Sequence, residues 1–315
     1  MEKLKKTTDI AHIYGPVPSR RLGFSLGIDI IPFKTCSFNC VYCQLGRTPQ
    51  KTINRKEYFP SSEVLSQIKH TLHSGTRIDY ITFSGSGEPT LNSKIGHMIR
   101  EIKKMTTIPV AVLTNSSLLD LKSVRKALRA ADLVVPSLDA ANQKIFAYVN
   151  RPHPSLRIEK IIECLKQFRQ QFKGSIWLEI MLVKGVNDSA SHIKELKEAI
   201  DAIDPDKVQL NTVIRPPAEK FAAALSVKEM DKIKKAIGGK CEIIAEFNKK
   251  EQKPPAENLK ALIFSIIQRR PMTLSELSSS LGKHRNEIIK YLNFLLEEGK
   301  IKIVIHKGQK YYEPQ

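Results

Sequence analysis

The chain has 315 residues, 41% of them hydrophobic and 26% charged, with 15 glycines and 17 prolines; that is long enough for one large and one small domain with ample core, and it excludes a disordered or fibrous chain. The N-terminal run MEKLKKTTDIAHIYGP has basic residues but no apolar stretch of signal-peptide type, and no later run reaches membrane-span length, so the expected location is the cytoplasm, with no membrane partner. The formal net charge is +19, of which residues 257–315 carry +4 and the rest +15; an excess of this size favours anionic partners, nucleic acid above all, against a merely solvated basic surface.

In chain order, apolar β-type runs alternate with amphipathic helical segments. Strands are expected over 27–33, 78–83, 109–115, 132–139, 176–183, 207–213 and 241–247, with helices near 61–73, 93–104, 119–130, 155–172, 189–203 and 226–237. This is the pattern of an α/β fold with a parallel sheet. Six or so βα units fall short of a closed eight-unit barrel, so residues 1–247 read as a partial (β/α)6 TIM-like barrel, with a doubly wound sheet as the other possibility. In both, functional groups gather at the carboxyl ends of the strands. A polar, proline-bearing linker follows at 248–256. Beyond it, residues 257–315 read as three helices and a hairpin turning at Lys307-Gly308, the second helix opened by a Thr273-x-x-Glu276 capping box. This resembles a small winged helix-turn-helix domain.

Three of the five cysteines, Cys36, Cys40 and Cys43, fall within FKTCSFNCVYCQLG. Their i, i+4, i+7 spacing is also that of an apolar helix stripe, but the flanking Lys34, Thr35, Ser37, Asn39 and Gly46 are polar or turn-forming, which suits a site better than a core. Cytosolic thiols stay reduced, so metal binding is a better reading than a disulfide. Structural zinc usually takes four protein ligands, and the remaining Cys164 and Cys241 lie far off in a helix and a strand. Three thiolates with no fourth suggest an iron-sulfur cluster with one iron left open.

The C-x3-C-x2-C spacing with Tyr42 before the last cysteine resembles the signature of the radical S-adenosylmethionine (SAM) superfamily. That resemblance implies a full or partial (β/α) barrel, a [4Fe-4S] cluster on the three cysteines, SAM chelating the fourth iron, and Tyr42 packed near the adenine. The segment TFSGSGEPT resembles the same superfamily's GGE motif, with Ser86, Gly87 and Glu88 in the motif positions and Glu88 expected to accept from the SAM ammonium. It fails as a phosphate loop, and its other reading is a tight strand-to-helix turn. By the same resemblance Ser137 and Asp139 would meet the SAM ribose or carboxylate, and Glu179 and Asn211 (with Gln209) would flank the adenine; Thr114 and Asn115 are further strand-end candidates, any of which could be an ordinary cap. YGPVPSRRLGFSLGIDIIPFKTC, NRPH and QLNTVIRPPAE resemble a narrower group, the uncharacterised wybutosine-synthetase-related Fe-S oxidoreductases. Arg20, Arg21, Arg151 and Arg215 in these runs suit an anionic substrate, or salt bridges between loops.

The chemistry implied is reductive cleavage of SAM and hydrogen abstraction from substrate by a 5'-deoxyadenosyl radical, with a one-electron donor such as flavodoxin or ferredoxin. No further cysteine cluster is present for a second centre. The substrate could be tRNA, DNA, a protein delivered by the C-terminal module or a small anion. The rival class is an iron-sulfur redox-sensing regulator, with Lys283, His284, Arg285, Asn286, Lys290, Lys307 and Lys310 facing DNA.

Overall fold

The computed structural model describes residues 12–19, 21–73, 77–214, 217–244, 259–261, 263–264, 267, 272–281, 283–306 and 309–315. Strand β1 (Ile13–Ser19) pairs antiparallel with β2 (Gly23–Ile28). From β2 every neighbour is parallel, through β3 (Tyr80–Phe83), β4 (Val110–Thr114), β5 (Leu133–Pro136), β6 (Ser175–Leu182), β7 (Lys207–Thr212) and β8 (Cys241–Ile243). The strands join the sheet strictly in chain order, as successive right-handed crossovers require of a barrel; a doubly wound sheet reverses order partway. Among the described residues the two edge strands do not pair, so the barrel is partial.

The crossovers carry α1 (Ser61–Leu72), a 3₁₀ turn (Pro89–Leu91), α2 (Ile95–Met105), α3 (Lys122–Leu128), α4 (Gln143–Val149), α5 (Ile158–Gln171), α6 (Ala190–Ile203) and α7 (Val227–Ile237). Each long helix buries one stripe: Ile158, Ile161, Leu165 and Phe168 on α5 face the sheet. Ser189 caps α6, and Ser226 with Glu229 forms a capping box on α7. Along the strands, Ile81, Phe83, Val112, Leu178, Ile180, Val208 and Leu210 face this helical layer and are buried. The alternate positions face the barrel axis and turn polar toward the carboxyl ends.

Several elements differ from expectation, among them the strand expected over 132–139, which spans Leu133–Pro136, and the unexpected α4 and β9 (Met272–Thr273). The strand expected over 27–33 ends at Ile28, and Ile30 and Ile31 are buried in a loop instead, filling core beneath the cysteine segment. Their apolarity is real, but it reports burial rather than extension. β1 was not expected because its sequence, IYGPVPS, holds a glycine and two prolines; an edge strand tolerates both.

Beyond the barrel, residues 259–261, 263, 264 and 267 are helical, followed by β9 (Met272–Thr273), α8 (Leu274–Leu281), α9 (Arg285–Glu297), β10 (Ile301–His306) and β11 (Gln309–Pro314). The three strands form a sheet in the order β10-β11-β9. This unit has its own apolar cluster, with Ile263, Leu277, Ile288, Leu292 and Leu295 at its centre. The capping box is present: Glu276 accepts from the Thr273 N–H at 2.7 Å and Thr273 Oγ1 accepts from the Glu276 N–H at 3.2 Å. The linker at 248–256, the Lys307-Gly308 turn, Arg20 and Arg215 lie outside the described residues. No described helix is long and apolar enough to cross a membrane.

Candidate functional site

At the carboxyl ends of the strands lies a cavity of about 400 Å³. Its floor is the inward-facing set of the sheet, Ser25, Thr82, Leu113, Glu179, Met181 and Asn211. One side is the cysteine segment after β2, another the Ser84–Gly87 turn after β3, and α9 contributes Lys290.

The cysteine segment is fixed by its backbone. Asn39 N–H donates to the Asn150 carbonyl at 3.0 Å, Val41 N–H to Val149 at 2.9 Å, and Thr52 N–H to Cys36 at 3.0 Å. Lys34, at φ +60°, turns the chain into the segment from a conformation unfavourable for a residue with a side chain, the kind of strain that persists only where surroundings over-determine it. Every one of the three sulfurs meets an N–H donor. Asn115 Nδ2 and the Phe38 N–H each lie 3.5 Å from Cys36 Sγ, Asn150 Nδ2 lies 3.5 Å from Cys40 Sγ, and Lys34 Nζ lies 3.1 Å from Cys43 Sγ. Burial, with Glu88 adding to it, pushes the Cys36 thiol up to about 12, and burial raises Cys40 further. Such thiols stay protonated unless a metal takes the proton's place. No three Cys, His, Asp or Glu side chains among the described residues converge on one point as ligands of a single ion do. Three thiols and no fourth nearby cysteine are the donor set of a cluster with one iron left open, whereas structural zinc usually takes four protein ligands.

The turn after β3 touches this segment through backbone. The Lys34 N–H donates to the Ser86 carbonyl at 2.7 Å and the Glu88 N–H to the Thr35 carbonyl at 3.1 Å. A Cβ at Gly87 would sit 1.8 Å from the Thr35 carbonyl oxygen, so only glycine fits. Ser86 in turn donates its N–H (3.0 Å) and hydroxyl (2.5 Å) to Asp29 Oδ2.

Of the residues expected at the cofactor, Tyr42, Ser86, Gly87, Glu179 and Asn211 line the cavity with Cys36 and Cys43, while Glu88, Thr114, Asn115, Ser137 and Asp139 do not. Glu88, expected to accept from the SAM ammonium, is held from several sides by its own chain. It is buried at 2% exposure, and its carboxylate already accepts from the Thr90 N–H and hydroxyl (3.0 and 2.6 Å), the Thr114 hydroxyl (2.7 Å) and the Asn115 N–H (2.7 Å). It ties the turn after β3 to the end of β4 beneath the cavity. Asp139 is likewise internal, accepting from the Tyr42 hydroxyl, Asn150 Nδ2 (2.6 Å) and the Met181 N–H (2.8 Å), and burial raises its carboxyl to about 6. Ser137 serves through its backbone, accepting from Ser116 Oγ at 3.0 Å.

Arg21 and Arg151, the two of the four expected arginines that are described, bind protein carboxylates. Arg21 lies 2.9 Å from Glu179, which Asn211 also reaches at 3.0 Å, and donates to Gln209 at 3.1 Å. Arg151 and Arg47 both grip Glu219, at 2.6 and 2.9 Å, pinning the stretch after β7 to the cysteine segment.

The first turn of α9, expected to face DNA, faces the barrel. His284 is 8% exposed, its Nε2 lies 3.0 Å from Asp29 Oδ2, and its ring stacks on Tyr14 at 4.6 Å. The Arg285 guanidinium sits 4.7 Å over the Phe33 ring. Sequence reasoning had no route to Tyr14, which closes over Gly27 where a Cβ would meet the ring at 2.0 Å, nor to this use of His284.

Residues 30–200 match the radical SAM superfamily. The chain is 38% identical over 309 residues to a Brachyspira hyodysenteriae protein named GTPase Obg, covering 97% of this chain but only 45% of that one. It is 35% identical over 306 residues to a UPF0026 protein of Methanocaldococcus jannaschii, covering 95% of this chain and 94% of that protein. Among solved structures it is similar in fold to Streptococcus suis SuiB bound to S-adenosylmethionine, with a TM-score of 0.53 and 15% identity over 73% of this chain and 53% of that one.

Proposed function

The chain belongs to the radical SAM superfamily, within the UPF0026 proteins, and from that premise we propose that Cys36, Cys40 and Cys43 hold a [4Fe-4S] cluster whose fourth iron is open to SAM. The observation that carries this reading is the set of N–H donors from Phe38, Asn115, Asn150 and Lys34 aimed at the three sulfurs beside a cavity. Donors of this kind stabilise thiolates and tune the centre they bind. When bound, the cluster supplies the electron that cleaves SAM reductively. The protein's share is to hold and shield. Ser84–Gly87, Tyr42, Met181 and Glu179, the last oriented by Arg21 and Asn211, are the lining residues that would hold SAM, with Glu179 available as an acceptor and Tyr42 and Met181 as apolar wall. The reaction class is hydrogen abstraction from an anionic substrate, fed by a donor of the flavodoxin or ferredoxin type. Three helical stretches, a short strand and a hairpin support reading the C-terminal unit as a winged helix. With His284 and Arg285 turned to the barrel, we read that unit as part of the enzyme and not as a DNA reader.

Anaerobically reconstituted protein is expected to bind about four irons per chain. With dithionite it should convert SAM to 5'-deoxyadenosine. Equal iron binding and product yield in the triple Cys36, Cys40, Cys43→Ala variant would overturn the reading.

A further inference from the structure

A second cavity, of about 290 Å³, lies between the cysteine segment and the C-terminal unit. Gln44 and Leu45 line both this cavity and the one at the strand ends, so they form a wall shared by the two. They directly follow Cys43, and two residues of even fully extended chain span only about 7 Å. The Gly46 N–H, donating to the Cys43 carbonyl at 3.1 Å, folds the stretch back tighter still. Around this outer cavity apolar side chains stand in solvent. Phe33, which lines it, is 37% exposed. Ile305 on β10 is 66% exposed and directly opposes Lys310 on β11, so the two share a face of the hairpin. The lining cations are Arg285 and Lys310, and no carboxylate is among the described lining residues. Arg285 donates to Ser275 Oγ at 2.9 Å and lies over the Phe33 ring. Lys310 Nζ lies 3.8 Å from the point that a Cβ on Gly46 would occupy, which puts a positive charge over the chain just after the last cysteine.

We propose that this face is the docking surface for the electron donor, a small acidic one-electron carrier protein of the flavodoxin type, which seats its carboxylates on Lys310 and Arg285 and covers Phe33 and Ile305. This rests on the radical SAM reading and adds to it where the electron enters. The carrier gives up one electron and the cluster takes it up; no bond forms or breaks. Position supports a redox partner, since only Gln44 and Leu45 separate this face from the cluster side. Charge supports an acidic one, since the face is cationic and the whole chain carries a formal +19. Exposed apolar side chains beside those cations support a protein over a nucleic acid, whose phosphates would leave Phe33 and Ile305 uncovered. The hairpin of the C-terminal unit then serves the barrel's chemistry by helping to seat its donor.

The test uses the full chain, cluster-loaded and with SAM present, and measures 5'-deoxyadenosine in two ways. One assay is driven by dithionite, which needs no docking; the other by increasing concentrations of an acidic bacterial flavodoxin kept reduced by its reductase and NADPH. In wild type the half-saturating flavodoxin concentration should rise with salt. Lys310→Glu should raise it about 10-fold at low salt while the dithionite yield and iron content stay at wild-type levels, and Lys310→Arg should stay near wild type. Lys126→Glu, the same change of charge at an exposed position of α3, should behave as wild type does. Half-saturation of Lys310→Glu at the wild-type concentration, an equal rise in Lys126→Glu, or no flavodoxin-driven product where dithionite gives product overturns the docking surface and leaves the radical SAM reading standing. No product with dithionite in wild type defeats that reading itself.

Discussion

Asn115 donates its backbone N–H to Glu88 at 2.7 Å and points its side-chain amide at Cys36 Sγ, 3.5 Å away. Glu88 therefore acts on the cysteine segment at one remove, through the end of β4. Glu88→Ala strands the buried donors of Thr90, Thr114 and Asn115 and should cost about 2–4 kcal/mol of stability. Glu88→Gln keeps one acceptor and should lose less. A melting temperature unchanged in the Ala variant would show that these donors do not depend on Glu88, and SAM titration of the Gln variant tests separately whether the carboxylate also meets SAM.

The five cysteines divide cleanly by surroundings. Cys164 and Cys241 are buried among apolar side chains of the main core. Cys164→Ala and Cys241→Ala should keep full iron content, whereas Cys40→Ala should lose the cluster along with its visible absorbance. A cluster lost on changing Cys164 or Cys241 in folded protein would mean a fourth protein ligand.

Gly87→Ala adds one methyl against the Thr35 carbonyl, the residue before Cys36. Backbone must move, and the cysteine segment moves with it. Iron content after reconstitution should fall together with the melting temperature. Gly239→Ala, where the added methyl meets nothing within 4 Å, should bind iron normally.

Asp139 has a folded-state pKa of about 6, above its ordinary 3.8, chiefly because it is buried. Between those values the folded protein holds a proton that the unfolded chain releases, so this group's contribution to stability falls as pH rises through about 4 to 6 and is flat above. The shift corresponds to about 3 kcal/mol at most. Asp139→Asn should remove that slope, and melting temperatures at pH 4.5 and 6.5 would detect it. An unchanged difference between the two pH values would show that Asp139 ionises in the fold as freely as in the unfolded chain.

The parallel strands and long helices were legible because their apolar spacing is repeated and strong; α5 and α6 end within a few residues of their expected limits. The cysteine spacing and the Gly85–Glu88 run were legible because they are local. What was not legible is whatever depends on contacts between distant segments. That Glu88 also ties two strand ends together is invisible until Thr114 and Asn115, 26 and 27 residues on, are brought to it. Arg151 suits an anionic substrate or a salt bridge between loops equally, and only the arrival of Glu219, 68 residues on, shows the salt bridge. α4, at 7 residues, is too short to set up a period. The start of α9 has the composition of a nucleic-acid-reading helix, and only the fold turns it toward Asp29 and Phe33.

The order of synthesis gives the two-part cavity a history. Ile243 ends the last barrel strand, and Lys290 follows 47 residues later. At 5–20 residues per second, translation takes about 2 to 10 s to cross that interval. During it the cysteine segment and every strand of the barrel are already made, while α9, which adds Lys290 to the cavity wall, is not. Contact between His284 and Asp29, which brings the start of α9 to the barrel, therefore joins the latest-made part of the cavity to one of the earliest.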